Sequence, residues 1–193
     1  MSAFGLEGFA SVKAVEVELY TSAYRVTGTV HTPFQRVAEI LNQLPGGHLS
    51  VDDATVVEHA VPATQVRAGS ALVAVDEILA LVAPSLVGEP RAEMRIQKRP
   101  ARATLAMPPL RIEGTIHVPL GSQPVDGLLN VPDRYLPMTD ARVTSAAHPE
   151  LDRDVPILAV RRNRAHVIIV RDPGDEAADE APSTQRDEPG SGT

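Results

Sequence analysis

The ten residues 24–33, YRVTGTVHTP, return 86 positions later as residues 110–119, LRIEGTIHVP. Five of the ten positions are identical, and two others exchange Val for Ile. Three further blocks keep the same order: residues 40–42 match 128–130, residues 49–56 match 136–143, and residues 72–75 match 157–160. Because four blocks recur in order at an offset of 85 to 88 residues, the sequence predicts an internal duplication.

Each copy has the pattern of a small, mostly β domain. Residues 15–20 and 24–30 alternate between apolar and polar side chains, which is typical of half-buried strands. Further strands are expected at residues 51–57, 71–75, 78–82 and 166–170. This pattern predicts a mainly β protein with short helices, made of two tandem small β-barrel-like domains related by internal duplication.

One short helix is expected in each copy. Thr32 and Pro33 have the residue types of an N-cap and a first helical position. The apolar residues that follow at helical spacing on one face are Phe34, Val37, Ala38, Leu41 and Leu44. Ser122 and Pro124 are expected to open the corresponding helix, and Asn42 and Asn130 to cap the two helices at their C-termini.

Composition divides the chain further and excludes several kinds of site. We expect an N-terminal arm at residues 1–13, a first repeat at 14–83, a basic linker at 84–99, a second repeat at 100–171 and a disordered acidic tail at 172–193. The tail carries seven acids and one base, and the rest of the chain is nearly neutral. The absence of Cys excludes disulfides, thiolate-ligated zinc and a Cys nucleophile.

No sequence motif indicates a reaction. We find no Gly-rich phosphate loop, no Ser nucleophile elbow and no His-Glu metal helix, so a non-enzymatic protein without a cofactor is expected. With no signal-peptide pattern and no apolar run of membrane-spanning length, the sequence predicts a cytoplasmic protein that does not insert into membranes.

The second copy resembles a bacterial domain family of unknown function. The blocks that carry the resemblance are Arg111-Ile112-x-Gly114-x-Ile116, Leu128-Leu129-Asn130 and Leu136-x-x-Thr139-Asp140-Ala141-x-Val143. The first copy departs from this pattern at Asp52, where the second copy has Thr139. The order of short strands is also similar to Sm-like and SH3-like small barrels. These resemblances imply a fold and supply no catalytic residues.

A polar stripe is predicted on the outer face of the second strand in each copy. Side chains two residues apart in a strand share a face. The candidate contact face is therefore Arg25, Thr27, His31, Arg111, Glu113 and His117. It fits an anionic group or a partner strand, and an ordinary solvated face is the simpler interpretation. Two recurring histidines are too few for a closed metal site, so no metal is expected.

Two other recurring residues have structural interpretations. Asp53 and Asp140 are expected to stabilise turns through hydrogen bonds from their side chains to the backbone. Gly28 and Gly114 lie within strands, where Gly typically marks a bend, a bulge or a close backbone approach.

Basic residues form a second candidate site. The candidate basic patch comprises Arg95, Lys98, Arg99, Arg102, Arg161, Arg162 and Arg164. Such a patch is typical of nucleic-acid binding, although few aromatic side chains are near it for base stacking.

The duplication and the lack of catalytic motifs favour a protein-interaction or assembly module, with a protein as the partner and a homo-oligomer left open. A nucleic-acid-binding protein that uses the basic linker and second repeat, and a sensor of a small anionic ligand, are the alternatives.

Overall fold

The chain is described by a computed structural model over residues 11–86 and 97–171. Most of the predicted N-terminal arm, much of the basic linker and the predicted disordered tail lie outside these described residues. The strands are β1 (Lys13–Tyr20), β2 (Tyr24–Thr32), β3 (His48–Glu58), β4 (Gln65–Ala74), β5 (Ala80–Val82), β6 (Lys98–Met107), β7 (Leu110–Pro119), β8 (Tyr135–Thr144), β9 (Arg153–Arg161) and β10 (Val167–Arg171). The helices are α1 (Val37–Asn42) and α2 (Pro124–Leu129).

The ten strands form one antiparallel sheet in the order β10-β6-β7-β8-β9-β5-β1-β2-β3-β4. The mainly β prediction is therefore confirmed. Over the described residues the sheet is not closed, because β10 and β4 stand at its two ends. The barrel-like closure, the internal duplication and the domain boundaries stay predictions.

The two halves of this sheet have the same internal order. In the first half β5 lies beside β1, followed by β2, β3 and β4, and in the second half β10 lies beside β6, followed by β7, β8 and β9. One short antiparallel pairing joins the halves, with Ala80 opposite Val160, Leu81 opposite Ala159 and Val82 opposite Leu158.

A β-bulge recurs at the same place in both halves. The register between β2 and β3 shifts around Gly28, and the register between β7 and β8 shifts around Gly114. The opposing residues Asp53 and Asp140 have left-handed φ angles of 50° and 49°. Asp tolerates this conformation better than most residues. The expectation for the two glycines is confirmed, whereas the two aspartates lie inside strands at a bulge and not in turns.

The strand register corrects the last block of the sequence alignment. The first residue of β3, His48, pairs with Ala74, and the first residue of β8, Tyr135, pairs with Arg161. Counterparts in β4 and β9 therefore differ by 87 residues, so Val73 corresponds to Val160. The sequence match of residues 72–75 with 157–160 has an offset of 85. A shift of two residues leaves every side chain on the same face of the strand, so the apolar pattern alone does not detect it.

The core consists of two apolar clusters, one in each half of the sheet, and each cluster includes residues from the other half. The cluster of the second half includes Tyr20 and Leu79 together with Ala80 and Val82 of β5. The cluster of the first half includes Tyr135 and Ala159. The two halves are consequently one packed unit at the β5–β9 junction.

The helices follow the predicted apolar spacing but differ from it at their ends. Val37, Ala38 and Leu41 are buried as expected. The predicted N-cap Thr32 is wrong, because α1 begins at Val37 and the Thr32 hydroxyl instead accepts a hydrogen bond from the Phe34 amide. In α2, Pro124 stands in the first turn as expected, but the N-cap is Gln123 and no side chain caps the helix.

Most predicted strands are present with shifted ends, and one was missed. The strand β6 runs from Lys98 to Met107, although the sequence analysis assigned its first two residues to a linker. Its many small and basic residues, KRPARATLAM, hide the alternation that the burial pattern reveals. It is the second-half equivalent of β1 in the strand order.

Candidate interaction surface

The predicted contact face is exposed or half-buried, and its charged side chains are engaged with neighbouring groups. Arg25 lies 4.0 Å from Glu18. The guanidinium of Arg111 donates a 2.7 Å hydrogen bond from Nε to Glu113. Pairing within the stripe and with the adjacent strand lowers its capacity for an external anion.

The two histidines of this stripe face equivalent positions on the next strand. His31 lies 3.6 Å from the Asp52 carboxylate, and His117 lies 3.4 Å from the Thr139 hydroxyl. Thr27 completes the stripe beside them and is half-buried. Within residues 11–86 and 97–171, no group of three His, Cys, Asp or Glu side chains is arranged to hold a metal ion.

The arginines at the end of β9 are occupied by contacts within the chain. Arg161 is buried, donates to the Asp76 carboxylate at 2.9 Å and to the Val75 carbonyl at 3.2 Å, and lies over the Tyr135 ring. Arg162 donates to the Leu128 carbonyl at the end of α2. Arg161 thereby joins the two halves, whereas Arg162 joins the segment after β9 to α2 within the second half.

Three of the remaining members of the basic patch lie on another strand. Lys98, Arg99 and Arg102 lie on β6, where Arg99 donates to the Ser122 carbonyl at 3.0 Å. Arg164 donates to Glu77 at 3.2 Å. Arg95 lies outside the described residues.

Asn42 has a different role from the C-terminal cap that was predicted. Its side chain makes two hydrogen bonds with the main chain of Tyr135, donating to the carbonyl at 2.8 Å and accepting from the amide at 3.0 Å. The residue at the C-cap position of α1 is Gln43. Asn42 thus anchors α1 of the first half to the start of β8 in the second half.

The Tyr135 side chain reinforces the same junction from the other side. Its hydroxyl donates to the carbonyls of Val75 and Ile78, at 2.5 and 3.1 Å. Burial raises the pKa of Tyr135 above its ordinary value, so the hydroxyl keeps the proton that these bonds need.

A second polar cluster spans the junction near β1. Glu18 accepts a 2.6 Å hydrogen bond from the Tyr20 hydroxyl and forms an ion pair with Arg153 of β9. Burial, followed by the Glu18 carboxylate, raises the pKa of Tyr20. Every member of this cluster has a partner, so we assign it a structural role.

His59 and His148 also meet across the halves, with ring centroids 5.4 Å apart. His59 is buried, and one of its ring nitrogens lies 3.2 Å from the Thr21 carbonyl. Burial lowers the pKa of His59 below 6.5, and the nearby His148 acts in the same direction.

Four of the ten exposed large apolar side chains in the described residues lie on the two end strands of the sheet. On β4, Leu72 is 70% exposed and Val66 is 58% exposed; on β10, Val167 is 53% exposed and Ile169 is 43% exposed. Polar side chains normally protect an edge strand, since unpaired main-chain groups there invite another strand. These residues were not among the candidate sites predicted from the sequence; their exposure stands out only when equivalent positions of the two halves are compared in the structure.

Two concave regions accompany these features. A mostly apolar groove of about 330 Å³ runs beside β4 and is lined by Tyr24, Val26, Val56 and residues 71–74. A larger cleft of about 600 Å³ lies between α1 and β7, where Arg36, Lys98 and His117 approach a surface that also carries Glu39 and Asp133. Of these two regions, the groove beside β4 adjoins an end strand of the sheet formed by residues 11–86 and 97–171.

Comparison of the chain with protein-family models, curated proteins and solved structures gave no match. Of the helices in the described residues, none has the length and apolar character needed to cross a membrane.

Proposed function

We propose that this chain is a non-enzymatic protein-interaction and assembly module built from a duplicated small β domain. The observation that carries the proposal is the location of the exposed apolar side chains. Leu72 on β4, together with Val167 and Ile169 on β10, presents apolar surface at both open ends of the sheet. Exposing these apolar side chains to water does not stabilise the chain, whereas a partner strand would bury them.

The duplication part of the proposal is supported by main-chain details. In the first half, the Val75 amide donates to the Gly47 carbonyl and the Leu79 amide donates to the Tyr20 carbonyl. The equivalent bonds in the second half run from the Arg162 amide to the Arg134 carbonyl and from the His166 amide to the Ala106 carbonyl. The donors in the two halves differ by 87 residues. The repeated bulge with its left-handed Asp is a second support. A small barrel-like domain related to the bacterial family noted above is our proposal for the ancestral unit.

Binding by strand addition is the mode that this surface favours. A partner segment would form main-chain hydrogen bonds with the edge of β4 or β10 and place alternate side chains against the sheet. The groove beside β4 offers about 330 Å³ for those side chains. The exposed main-chain groups would provide affinity, and the apolar groove would provide selectivity.

A comparison of single variants tests this function. Leu72→Lys places a charge at the proposed interface on β4, and Val61→Lys is the matched control because Val61 is 47% exposed in the turn before β4. We expect proteins captured from cell lysate by the wild-type chain and by Val61→Lys to be lost with Leu72→Lys. An identical set of captured proteins from all three chains would refute the edge-binding function.

A further inference from the structure

We infer that copies of this chain join head to tail, with β10 of one copy adding to the β4 edge of the next. The proposed contact between copies has the same pairing as the contact of β5 with β9, which joins the two halves within one chain. The inference rests on the proposed interaction function and identifies its partner as a second copy of the chain.

The strand β10 is the second-half equivalent of β5. In the first half Tyr20 of β1 pairs with Ala80, and in the second half Ala106 of β6 pairs with Val167. The bond from the Leu79 amide to Tyr20 recurs as the bond from the His166 amide to Ala106. The residues Ala80, Leu81 and Val82 therefore correspond to Val167, Ile168 and Ile169.

The strand β4 is, in the same way, the first-half equivalent of β9. The pairings of β3 with β4 and of β8 with β9 begin at equivalent residues and run in the same register. Consequently Ala71, Leu72 and Val73 correspond to Leu158, Ala159 and Val160. These last three residues are the ones that β5 covers within the chain.

The equivalence gives the register of the proposed contact. Within the chain Ala80 lies opposite Val160 and Leu81 lies opposite Ala159. Between copies, Val167 would lie opposite Val73, Ile168 opposite Leu72, and Ile169 opposite Ala71. This antiparallel pairing leaves the internal sheet of each copy unchanged.

Burial differs between the halves at the positions that this contact would cover. Ala80, Leu81, Val82 and Ala159 are buried at the internal junction. Three of their counterparts, Val167, Ile169 and Leu72, are 53%, 43% and 70% exposed, and the fourth, Ile168, is half-buried. A partner strand would remove these large apolar side chains from water, and their burial is favourable.

The helices show the same difference. Val37 and Leu41 of α1 are fully buried near the internal junction, where α1 packs against β8 and β9. Their counterparts Val125 and Leu129 on α2 are 52% and 66% exposed. A second copy placed by the repeated contact would bring its β3 and β4 against α2.

The groove beside β4 is the counterpart of a surface that is filled inside the chain. In the second half, Leu110, Ile112, Val143, Leu158 and Val160 belong to a cluster that Tyr20, Leu79, Ala80 and Val82 complete from the first half. In the first half, the equivalent residues Tyr24, Val26, Val56, Ala71 and Val73 line the open groove. Val167 and Ile169 of another copy would enter this groove in the places that Ala80 and Val82 occupy.

The polar contacts of the internal junction are repeated only in part. Asn130 is exposed at the end of α2 and corresponds to Asn42, so its amide would meet the main chain of His48 in the next copy. The Glu18–Arg153 ion pair has uncharged counterparts at Thr104 and Val66. The contact between copies is therefore mainly apolar and should persist at high salt.

The contact joins two different edges, so it is heterologous. Repetition of such a contact closes a ring when the rotation allows and otherwise extends a filament. Each chain must offer both β4 and β10, and blocking either edge stops growth. An isologous contact, β4 to β4 or β10 to β10, would instead leave dimers when the other edge is blocked.

Light scattering of the purified full chain and two edge variants tests the inference. We expect the wild-type chain to be oligomeric, and Leu72→Lys and Ile169→Lys each to be monomeric with an unchanged circular dichroism spectrum. A mixture of the two variants should form a one-to-one heterodimer, because each retains the edge that the other has lost. A monomeric wild-type chain, or a Leu72→Lys dimer, would overturn the inference.

Disulfide trapping tests the register without depending on destabilised variants. The chain has no Cys, so Leu72→Cys with Ile168→Cys introduces only one directly opposed pair. Directly opposite residues of antiparallel strands lie within the Cα separation that disulfides allow. Oxidation should link copies covalently, whereas Leu72→Cys with Val170→Cys, two residues out of register, should not. Equal linking by both pairs, or by neither, would overturn the register.

The experiments distinguish a failure of the self-assembly inference from a failure of the proposed interaction function. A monomeric wild-type chain that still captures another protein through Leu72 overturns self-assembly and leaves the interaction function standing. A monomeric chain whose captured proteins do not depend on Leu72 overturns both.

Discussion

The substitution Gly28→Ala should be much more damaging than Gly114→Ala, although the two glycines are equivalent. At Gly28 an added Cβ would lie 2.5 Å from the Asp52 carbonyl oxygen and 2.6 Å from Cγ1 of Val51. At Gly114 the three nearest atoms are 3.0 to 3.1 Å away, the first of them the Ala141 side chain. Ordinary carbon contacts require about 3.5 Å or more.

The magnitude follows from how far the bulge must move. At Gly28 the obstructing oxygen belongs to the backbone beside the left-handed Asp53, so a displacement of about 1 Å must distort the bulge; overpacking of this kind costs about 3 kcal/mol. At Gly114 a shift of a few tenths of an ångström suffices, and the cost is about 1 kcal/mol. Ala also lowers the conformational entropy of the unfolded chain, which offsets about 0.4–1 kcal/mol of the destabilisation in each case.

Urea unfolding followed by circular dichroism measures the difference. We expect the free energy of unfolding to fall by about 2–2.6 kcal/mol for Gly28→Ala and by less than about 1 kcal/mol for Gly114→Ala. Gly69→Ala in β4 is the control, because an added Cβ there meets no atom within 4 Å. If Gly28→Ala is no more destabilising than this control, or Gly114→Ala is the costlier change, the close approach at the bulge is wrong.

Three further outcomes follow from the junction between the halves. Tyr135→Phe should lower the free energy of unfolding by about 1–2 kcal/mol, because the hydroxyl that donates to the Val75 and Ile78 carbonyls is lost, while Val75 retains the Arg161 donor. Chemical denaturation measures the loss, and an unchanged midpoint contradicts it. Asn42→Ala should cost about 1–2 kcal/mol, whereas Asn130→Ala should change monomer stability by less than about 0.5 kcal/mol, and equal losses would refute the asymmetry. The lowered pKa of His59 means that the unfolded chain binds the extra proton, so this contribution is complete above pH 6.5 and is lost as the pH falls from there towards the folded-state pKa. Thermal unfolding between pH 7 and 5 should show a slope that His59→Gln reduces while His48→Gln, at an exposed position, does not; equal slopes in all three chains would contradict it.

Part of the candidate surface could be predicted from the sequence. The apolar character of residues 166–170 marks β10 as a strand, but alternation says only which side chains share a face. Whether a second strand covers that face depends on pairings far away along the chain. Leu72 and Leu129 are ordinary apolar residues in the sequence, and their exposure becomes informative only beside the buried Ala159 and Leu41.

In the basic patch, arginines that are close together in the sequence contact different parts of the fold. Arg161, Arg162 and Arg164 are adjacent in sequence and suggested one cationic surface. Folding directs Arg161 to Asp76, Arg162 to the end of α2 and Arg164 to Glu77. A local run of charge does not indicate which acids or carbonyls the fold will bring to it.

By itself the sequence determined the mainly β class, the strand and helix periodicities and the positions of the two bulge glycines. These features follow from local spacing and from similarity between two segments of one chain, so no long-range information is needed. Only the tertiary structure decided that β5 pairs with β9, that Asn42 holds β8, and that β4 and β10 remain at the edges. The physical reason is that strand edges present nearly the same main-chain donors and acceptors, so packing among distant side chains selects which edges meet.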